Sequence, residues 1–458
     1  MTDHSSDAGS SGLAVSPWVS EWADATPKLR GDVTADVVIV GGGYTGLSTA
    51  LALRAEGMTV VLLEASYCGF GASGRNAGHL TPTIGKDVPT LLRLFGKERT
   101  ARFVALADVA IGEVEALMEK HSIDCQYETV GNIIAAVHPK QFAAVDRAAE
   151  AARVLNLPGE ILEPPDMRRR GLPRAFLRGF HETHGGILHP GLYLRGLRRA
   201  AIDAGVEIHE HSAVIAIEDG SRPRVRTREG SVSAGLLVLG VSAYGLGLEL
   251  PRPLGSRFLP VYVQLIRTAP LTAPQLARVG WPGREGIYTA HEVLESWRLT
   301  HDNRIVGGSK HVRYGYGGRL MPDRDAALTL RLEAVLRQRF PELAEVRVTD
   351  TWGGRIAFGL DFLPAVGRTG SSGRILYAMA YAGHGIAMAS YAGRMIADLA
   401  AGRDGPGSVL WERKGWPLPP EPLRWCVFRA LNGFFEAVDR RIDRSVLNEP
   451  MVSDRPEA

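Results

Sequence analysis

Gly41, Gly43 and Gly46 stand at G-x-G-x-x-G spacing within DVVIVGGGYTG (36–46). Glycines so placed permit a tight turn, close approach of backbone to a pyrophosphate and close helix-on-strand packing, with the phosphates at a positive helix N-terminus. Glu64 ends the run MTVVLLE eighteen residues after Gly46, where a carboxylate can bind a ribose hydroxyl. The chemistry predicted is dinucleotide binding, and the turn alone fits NAD and FAD equally. Four further groups could act beside such a cofactor. His384, in the turn Gly383-His384-Gly385, could supply a proton or a hydrogen bond, or only brace the turn. Arg298 and Arg355 could each hold a carboxylate as a bidentate fork, although a surface salt bridge explains either equally well. Lys310, in NRIVGGSKHVRYG, is one of 7 lysines in a chain with 46 arginines.

The elements that must position these groups read as follows. A β-branched run into the glycine cluster, the helix-like LSTALALRAEG and the strand-like MTVVLLE make a βαβ unit. The glycine-rich ASYCGFGASGRNAGH can place little in a core, so its backbone is expected near a ligand, with amides around Ala72 and Ser73 and side chains of Arg75 and Asn76 facing it. A flexible surface loop is the alternative. Residues 98–120, with Phe103, Leu106, Ala110, Val114 and Leu117 on one stripe, lead toward the strand-like GNIIAAVH and a surface helix over 141–157, together an inserted domain. The first domain resumes near residue 186 with a helix after His189-Pro190 and with the strands VEIHE, AVIAIED and SAGLLVLGVSA. Residues 258–313 alternate strands and turns as an antiparallel sheet does, and a helix follows over 325–340. In RILYAMAYAGHGIAMASYAGRMIADLAAG a strand and turn precede a helix with Ala389, Gly393 and Ala397 four apart, its N-terminus open at Gly383 to Ile386. The tail LRWCVFRALNGFFEAVDRRID is amphipathic and basic at its end. It is expected to pack on the body, with membrane-surface contact the less favoured reading.

A length of 458 residues implies two domains, and 45% hydrophobic with 22% charged residues is the composition of a soluble globular protein. A net charge of +3 gives no reason to expect nucleic acid. Cys68, Cys125 and Cys426 form no disulfide or metal pattern, which fits a reducing cytoplasm, and the Ser/Gly/Asp-rich start reads as a flexible arm. His121, His181, His184, His209 and His211 show no ligand spacing, so no metal is predicted.

GGGYTG, GASGRNAGH, LHPGLYLRGL, WGGRIAFGLDFLPAVGR and YAGHGIAMASYAG, in that order, resemble the FAD-dependent amine and amino-acid oxidases of the D-amino-acid oxidase superfamily, over about Trp18 to Gly402. The branch most similar is the γ-glutamylputrescine oxidase-like group, akin to glycine oxidase and sarcosine oxidase. The resemblance implies an α/β (α+β) fold, a Rossmann-like FAD-binding domain of the glutathione-reductase type interleaved with an antiparallel-sheet substrate domain. The expected division is an arm at 1–17, an FAD domain at 18–85, 186–245 and 346–402, a substrate domain at 86–185 and 246–345, and a tail at 403–458. FAD would rest with its ADP end on Gly41, Gly43, Tyr44, Thr45, Gly46, Glu64 and Ala65, with Val214 and Ser242 beside it. The isoalloxazine would lie between Gly71, Ala72, Ser73, Arg75, Asn76, Ala77, Gly78 and His79 on one side and Gly354, Gly383, His384, Gly385 and Ile386 on the other.

Relatives that tether the flavin through cysteine carry it where Trp352 and Gly353 stand here, and those using histidine carry it near Arg75, so FAD is expected to be non-covalent. The implied reaction moves hydride from the carbon beside nitrogen of a neutral amine, in a site walled by Tyr262, Tyr288, Trp297, Trp352 and Phe358. O2 would be reduced to H2O2 with Lys310 as the activating charge and His384 beside the reduced ring. The expected substrate is an aliphatic amine or polyamine derivative. The alternatives are a glycine, D-amino-acid or N-methyl amino-acid oxidase using Arg298 or Arg355, an amine dehydrogenase feeding a quinone or carrier, and a non-catalytic flavoprotein.

Overall fold

The strand Gly31–Val40 is the axis of the first sheet. Val37 and Ile39 face one core with Leu47 and Leu62, while Val38 and Val40 face another with Leu237 and Leu239. A strand covered on both faces needs the unbroken apolar run seen at 37–40. It pairs in parallel with Val60–Leu63 and Gly230–Leu239, and the sheet continues through Glu207–His209 at one side and Ile375–Met379 then Ala365–Thr369 at the other. That last pair is antiparallel, and a short antiparallel pair, Ala216–Glu218 with Arg224–Arg226, hangs from Gly230–Leu239. The computed structural model describes residues 15–245, 248–249, 254–411 and 415–448; most of the expected arm and the last ten residues lie outside them.

Helices Tyr44–Ala55 and Gly385–Ala401 pack tightly on this sheet. Gly393 makes the approach possible, since a Cβ there would lie 2.3 Å from the Ser48 carbonyl oxygen, and Ser48 Oγ donates to Ala389 O at 3.1 Å. The small-residue spacing in the sequence therefore marks a helix–helix contact.

The second sheet runs Val348–Phe358, Leu259–Thr268, Ile305–Gly308, Ser296–Leu299, Gly286–Thr289, Asn132–Ala136, Arg178–Glu182, Glu160–Leu162. Its neighbours are antiparallel except Gly286–Thr289 with Asn132–Ala136, which run parallel. Two placements differ from the sequence reading. Val348–Phe358, assigned to the nucleotide-binding part, pairs with Leu259–Thr268 from Val348↔Thr268 to Phe358↔Leu259 and so belongs to the second sheet. The helix Val88–Lys120 begins ten residues earlier than its apolar stripe suggests, with Asp87 capping Thr90 N and a break at Gly96, φ 75°.

The helix Leu423–Asn448 packs on the body, with the Phe428 ring 5.5 Å from that of Tyr314 in its first half and further contacts in its second. Asp439 accepts from the amides of Glu292 and Val293 at 2.9 and 3.0 Å, and Ile442 and Val446 lie against the core that holds Trp297 and Phe340. Among the described residues no helix is long and apolar enough to cross a membrane.

Candidate active site

A cavity of about 1820 Å³ takes its lining from both sheets. It exceeds the roughly 300–1,000 Å³ of a small-ligand pocket. At one end is the turn between Gly31–Val40 and Tyr44–Ala55. Gly41 has φ +108°, which a side chain rarely adopts, and a Cβ on Gly46 would lie 1.8 Å from Gly41 O. Gly43 sits under Ser73, whose Oγ accepts from Tyr44 N at 2.9 Å. Glu64 accepts from Gly42 N at 2.7 Å and Ser66 N at 3.0 Å, and its burial raises its pKa; it braces the turn while lining the cavity.

The loop from Gly71 to His79 forms the next wall. Arg75 is buried and holds it in place, donating to Phe70 O and Gly353 O at 2.8 Å each and pairing with Asp323 at 2.5 Å; Trp352 Nε1 returns a bond to Arg75 O at 2.9 Å. Asn76 closes the loop on itself through Ser73 O (2.8 Å) and Gly78 N (3.0 Å). His79 Nδ1 meets Asn132 Oδ1 at 3.0 Å, and burial lowers the ring's pKa to about 3, so it is neutral at physiological pH. Opposite this loop are Tyr381 to Ile386 and the N-terminus of Gly385–Ala401, which no side chain caps. Burial lowers the pKa of His384 as well.

The folded chain brings Gly41, Gly43, Tyr44, Thr45, Glu64, Ala65, Gly71, Ala72, Ser73, Arg75, Asn76, Ala77, Gly78, His79, Val214, Ser242, Gly354, Arg355, Gly383, His384, Gly385 and Ile386 to the lining. Gly46 lies behind it, as the packing role of the third glycine requires. Of the aromatic wall, Tyr288, Trp352 and Phe358 face the cavity; Tyr262 and Trp297 are buried outside it.

Arg298 and Lys310 require correction. Arg298 is buried beside the ring of Trp18 and donates Nε to Ala77 O, so it supports the loop from behind and is absent from the lining; burial lowers its pKa to about 10. Lys310 is also absent. Its Nζ pairs with Glu295 at 3.1 Å and Asp443 at 3.3 Å, in a cluster completed by Arg339 and His291. An ammonium neutralised by two carboxylates is not a free charge for O2. His291, Glu295 and Asp443 have ligand atoms within 4.8 Å of one another, but Lys310 and Arg339 already occupy the role of cation there.

Arg355 does line the cavity, its guanidinium 4.1 Å from the centre of the Tyr244 ring while Tyr244 Oη accepts from Arg355 N at 3.1 Å. Sequence reasoning missed Tyr244 and Glu182. It also missed the tail's share of the lining, Val427, Phe428 and Leu431, whose only signal was the amphipathic spacing, and Trp416 from the Pro-rich link before that helix.

The geometry fits FAD. The glycine turn leaves backbone bare where a Cβ cannot go, Arg75 Nη2 and His79 Nε2 are buried without partners, and none of the three cysteines is in the lining. A glycine turn feeding a long cavity roofed by a second sheet defines a dinucleotide-dependent oxidoreductase. The FAD dependent oxidoreductase family profile matches residues 36–399, and the chain belongs to that family. Gamma-glutamylputrescine oxidoreductase of Escherichia coli (strain K12) is 34% identical over 90% of this chain and 95% of its own length. Glycine oxidase of Bacillus licheniformis is 24% identical over 82% and 95%. The crystal structure of glycine oxidase from Geobacillus kaustophilus superposes with a TM-score of 0.69 at 20% identity, covering 81% of this chain and 96% of that one. The chain is an FAD-dependent enzyme.

Proposed function

We propose that this protein oxidises a primary or secondary amine, an aliphatic amine or polyamine derivative, to an imine that water converts to an aldehyde, with O2 reduced to H2O2. The observation that carries this reading is the apolar aromatic wall of Tyr288, Trp352 and Phe358 in one cavity with the glycine turn and the open helix N-terminus. The similarity to gamma-glutamylputrescine oxidoreductase over nine-tenths of the chain supports it.

Bound FAD supplies the two-electron acceptor. The protein's residues do the rest. Gly41, Gly43 and the helix N-terminus at Tyr44 would hold the pyrophosphate, and the Gly71 to His79 loop and the Gly383 to Ile386 turn would hold the ring. The apolar wall favours the neutral amine over the ammonium. The amides and dipole at the start of Gly385–Ala401 would favour negative charge at the ring site, and His384, whose Nδ1 is buried without a partner, would offer a hydrogen bond there. We read the first sheet with its helices as the FAD-binding part and the second sheet as the substrate roof, with Val348–Phe358 in the roof. In air, each amine consumed is expected to yield one aldehyde and one H2O2. Aldehyde formed only when a quinone is added, without peroxide, would instead make the enzyme a dehydrogenase.

The flavin is expected to be non-covalent. Denaturation with acid should leave all yellow colour in the supernatant; colour in the pellet would reveal a tether and overturn this.

Arg355 favours a second reading, an amino-acid substrate, because its guanidinium faces the cavity without an ion-pair partner among the described residues. A charge-assisted bond is worth roughly 1.5–3 kcal/mol, or about 10–150-fold. Arg355→Ala is therefore expected to raise KM about 10–150-fold for a carboxylate-bearing substrate with kcat little changed, and to leave simple amines within about twofold. Equal effects on both would remove Arg355 from carboxylate recognition.

A further inference from the structure

Glu182 is a buried acid that faces the cavity and has no part in the mechanism above. Glu182 ends the strand Arg178–Glu182, beside Asn132, which bonds His79. Side chains two apart on a strand share a face, and Phe180, Glu182, Ile134 and Tyr288 all line the cavity, so this face of the sheet looks into it. Glu182 is 9% exposed, and its carboxyl takes no hydrogen bond or ion pair from the described residues. An ionised carboxyl left unpaired in an apolar wall is costly, and proteins keep such groups neutral or give them a cation. Among the described residues no cation pairs with it, and Lys86 pairs with Asp87 at 3.3 Å.

We propose that Glu182 receives the ammonium nitrogen of the substrate and takes its proton, so that the amine stands neutral before hydride leaves the adjacent carbon. This rests on the amine reading above. The step is R–CH2–NH3⁺ plus the Glu182 carboxylate giving R–CH2–NH2 plus the carboxylic acid. One N–H bond breaks, one O–H bond forms, and no electrons change hands between donor and acceptor. The geometry suits it, because Glu182 and His79 both adjoin Tyr288, whose ring centre lies 4.8 Å from that of His79, and His79 belongs to the loop that walls the ring site.

The surrounding charges poise the group for this work. Burial, with Asp87 adding like charge, raises the Glu182 carboxyl to about 7. The other titratable neighbours are the Tyr288 phenol, pushed up by burial and by Glu182, and His79, neutral near pH 7; the His184–Asp108 pair follows two residues on at the cavity edge. A general base works best when its pKa lies near the working pH. A raised carboxyl is charged only above its pKa, so binding of a cation through Glu182 strengthens as pH rises through about 7.

The test uses the holoenzyme and tert-butylamine, a primary amine with no hydrogen on the carbon beside nitrogen, which can bind but not be oxidised. Its affinity, read by calorimetry, is expected to rise with pH through about 7 in the wild type. In Glu182→Gln it should be at least tenfold weaker near pH 8 and lose that rise. Flavin content of the variant checks the fold, and Glu182→Asp, which keeps the charge, should recover part of the affinity. With an oxidisable amine, Glu182→Gln should slow anaerobic flavin reduction at pH 7 by about 10²-fold, the low end for a lost general base. Wild-type affinity with wild-type pH dependence in Glu182→Gln would overturn the proposal, as would failure of the wild type to bind tert-butylamine. Glu182-dependent binding in an enzyme that no amine reduces would leave the cation site standing and defeat the amine-oxidation reading instead.

Discussion

Glu295→Gln is expected to destabilise the fold by about 3–5 kcal/mol, the cost of breaking a buried ion pair by removing one partner. Glu295 is fully buried and accepts both Arg339 Nε and Nη2 at 2.8 Å, Trp297 Nε1 at 3.1 Å, and the Lys310 ammonium at 3.1 Å. Asp443, from the C-terminal helix, supplies the second carboxylate, 2.7 Å from Arg339, 3.3 Å from Lys310 and 3.4 Å from His291. A glutamine keeps the shape but leaves two buried cations to one carboxylate. Urea unfolding followed by tryptophan fluorescence measures this, and a loss under about 1 kcal/mol would show that water reaches the cluster.

The same cluster sets an acid limit. Burial alone would raise Glu295, but the charges of Arg339, Lys310 and His291 outweigh it and hold the carboxyl well below the ordinary range; Asp443 is held down likewise by His291, Lys310 and Arg339 against its own burial. Carboxyls lowered in the folded state stabilise it above their unfolded pKa, about 4, and that contribution is lost as pH falls further. Wild-type stability should therefore drop steeply below about pH 4, and Glu295→Gln should flatten the drop.

Gly46→Ala is the second large effect. The new Cβ would lie 1.8 Å from Gly41 O, backbone against backbone, so the helix Tyr44–Ala55 must move off the strand that it follows. Overpacking costs typically about 1–3 kcal/mol and more where nothing can give. The expected product is colourless protein or none in the soluble fraction. Gly112→Ala is the control: it lies exposed in the helix Val88–Lys120, away from the cavity lining, and a Cβ there meets nothing within 4 Å. It should keep most of its flavin. Full flavin in Gly46→Ala would contradict the geometry of the turn.

What could be read from sequence was local. The spacing of Gly41, Gly43 and Gly46 carries its own mechanism, and the loop from Gly71 to His79 betrays itself because so many glycines can pack little else. Residues whose meaning depends on a distant partner were read wrongly or missed. Lys310 is rare by type and sits in a suggestive run, but its environment is made by Glu295 and by Asp443, which arrives on a helix 133 positions later. Arg298 is a fork donor by chemistry, yet register puts it behind the loop, against Trp18 and Ala77 O. Val348–Phe358 carries the Trp/Gly segment that suggested the nucleotide-binding part, and only its pairing with Leu259–Thr268 shows that it belongs to the second sheet. Glu182 ends an ordinary strand, RGFHE, and becomes distinctive only when Tyr288 and Ile134 are laid beside it.

The most direct measurement is anaerobic mixing of the purified yellow protein with single amines, covering aliphatic amines, polyamine derivatives, N-methyl amines and D-amino acids, while flavin absorbance is followed. Loss of the oxidised flavin spectrum with at least one aliphatic amine or polyamine derivative, and its return on admitting air, is the predicted result. Protein that carries no flavin and takes up no FAD, or a flavin that no amine in the panel reduces, would contradict it.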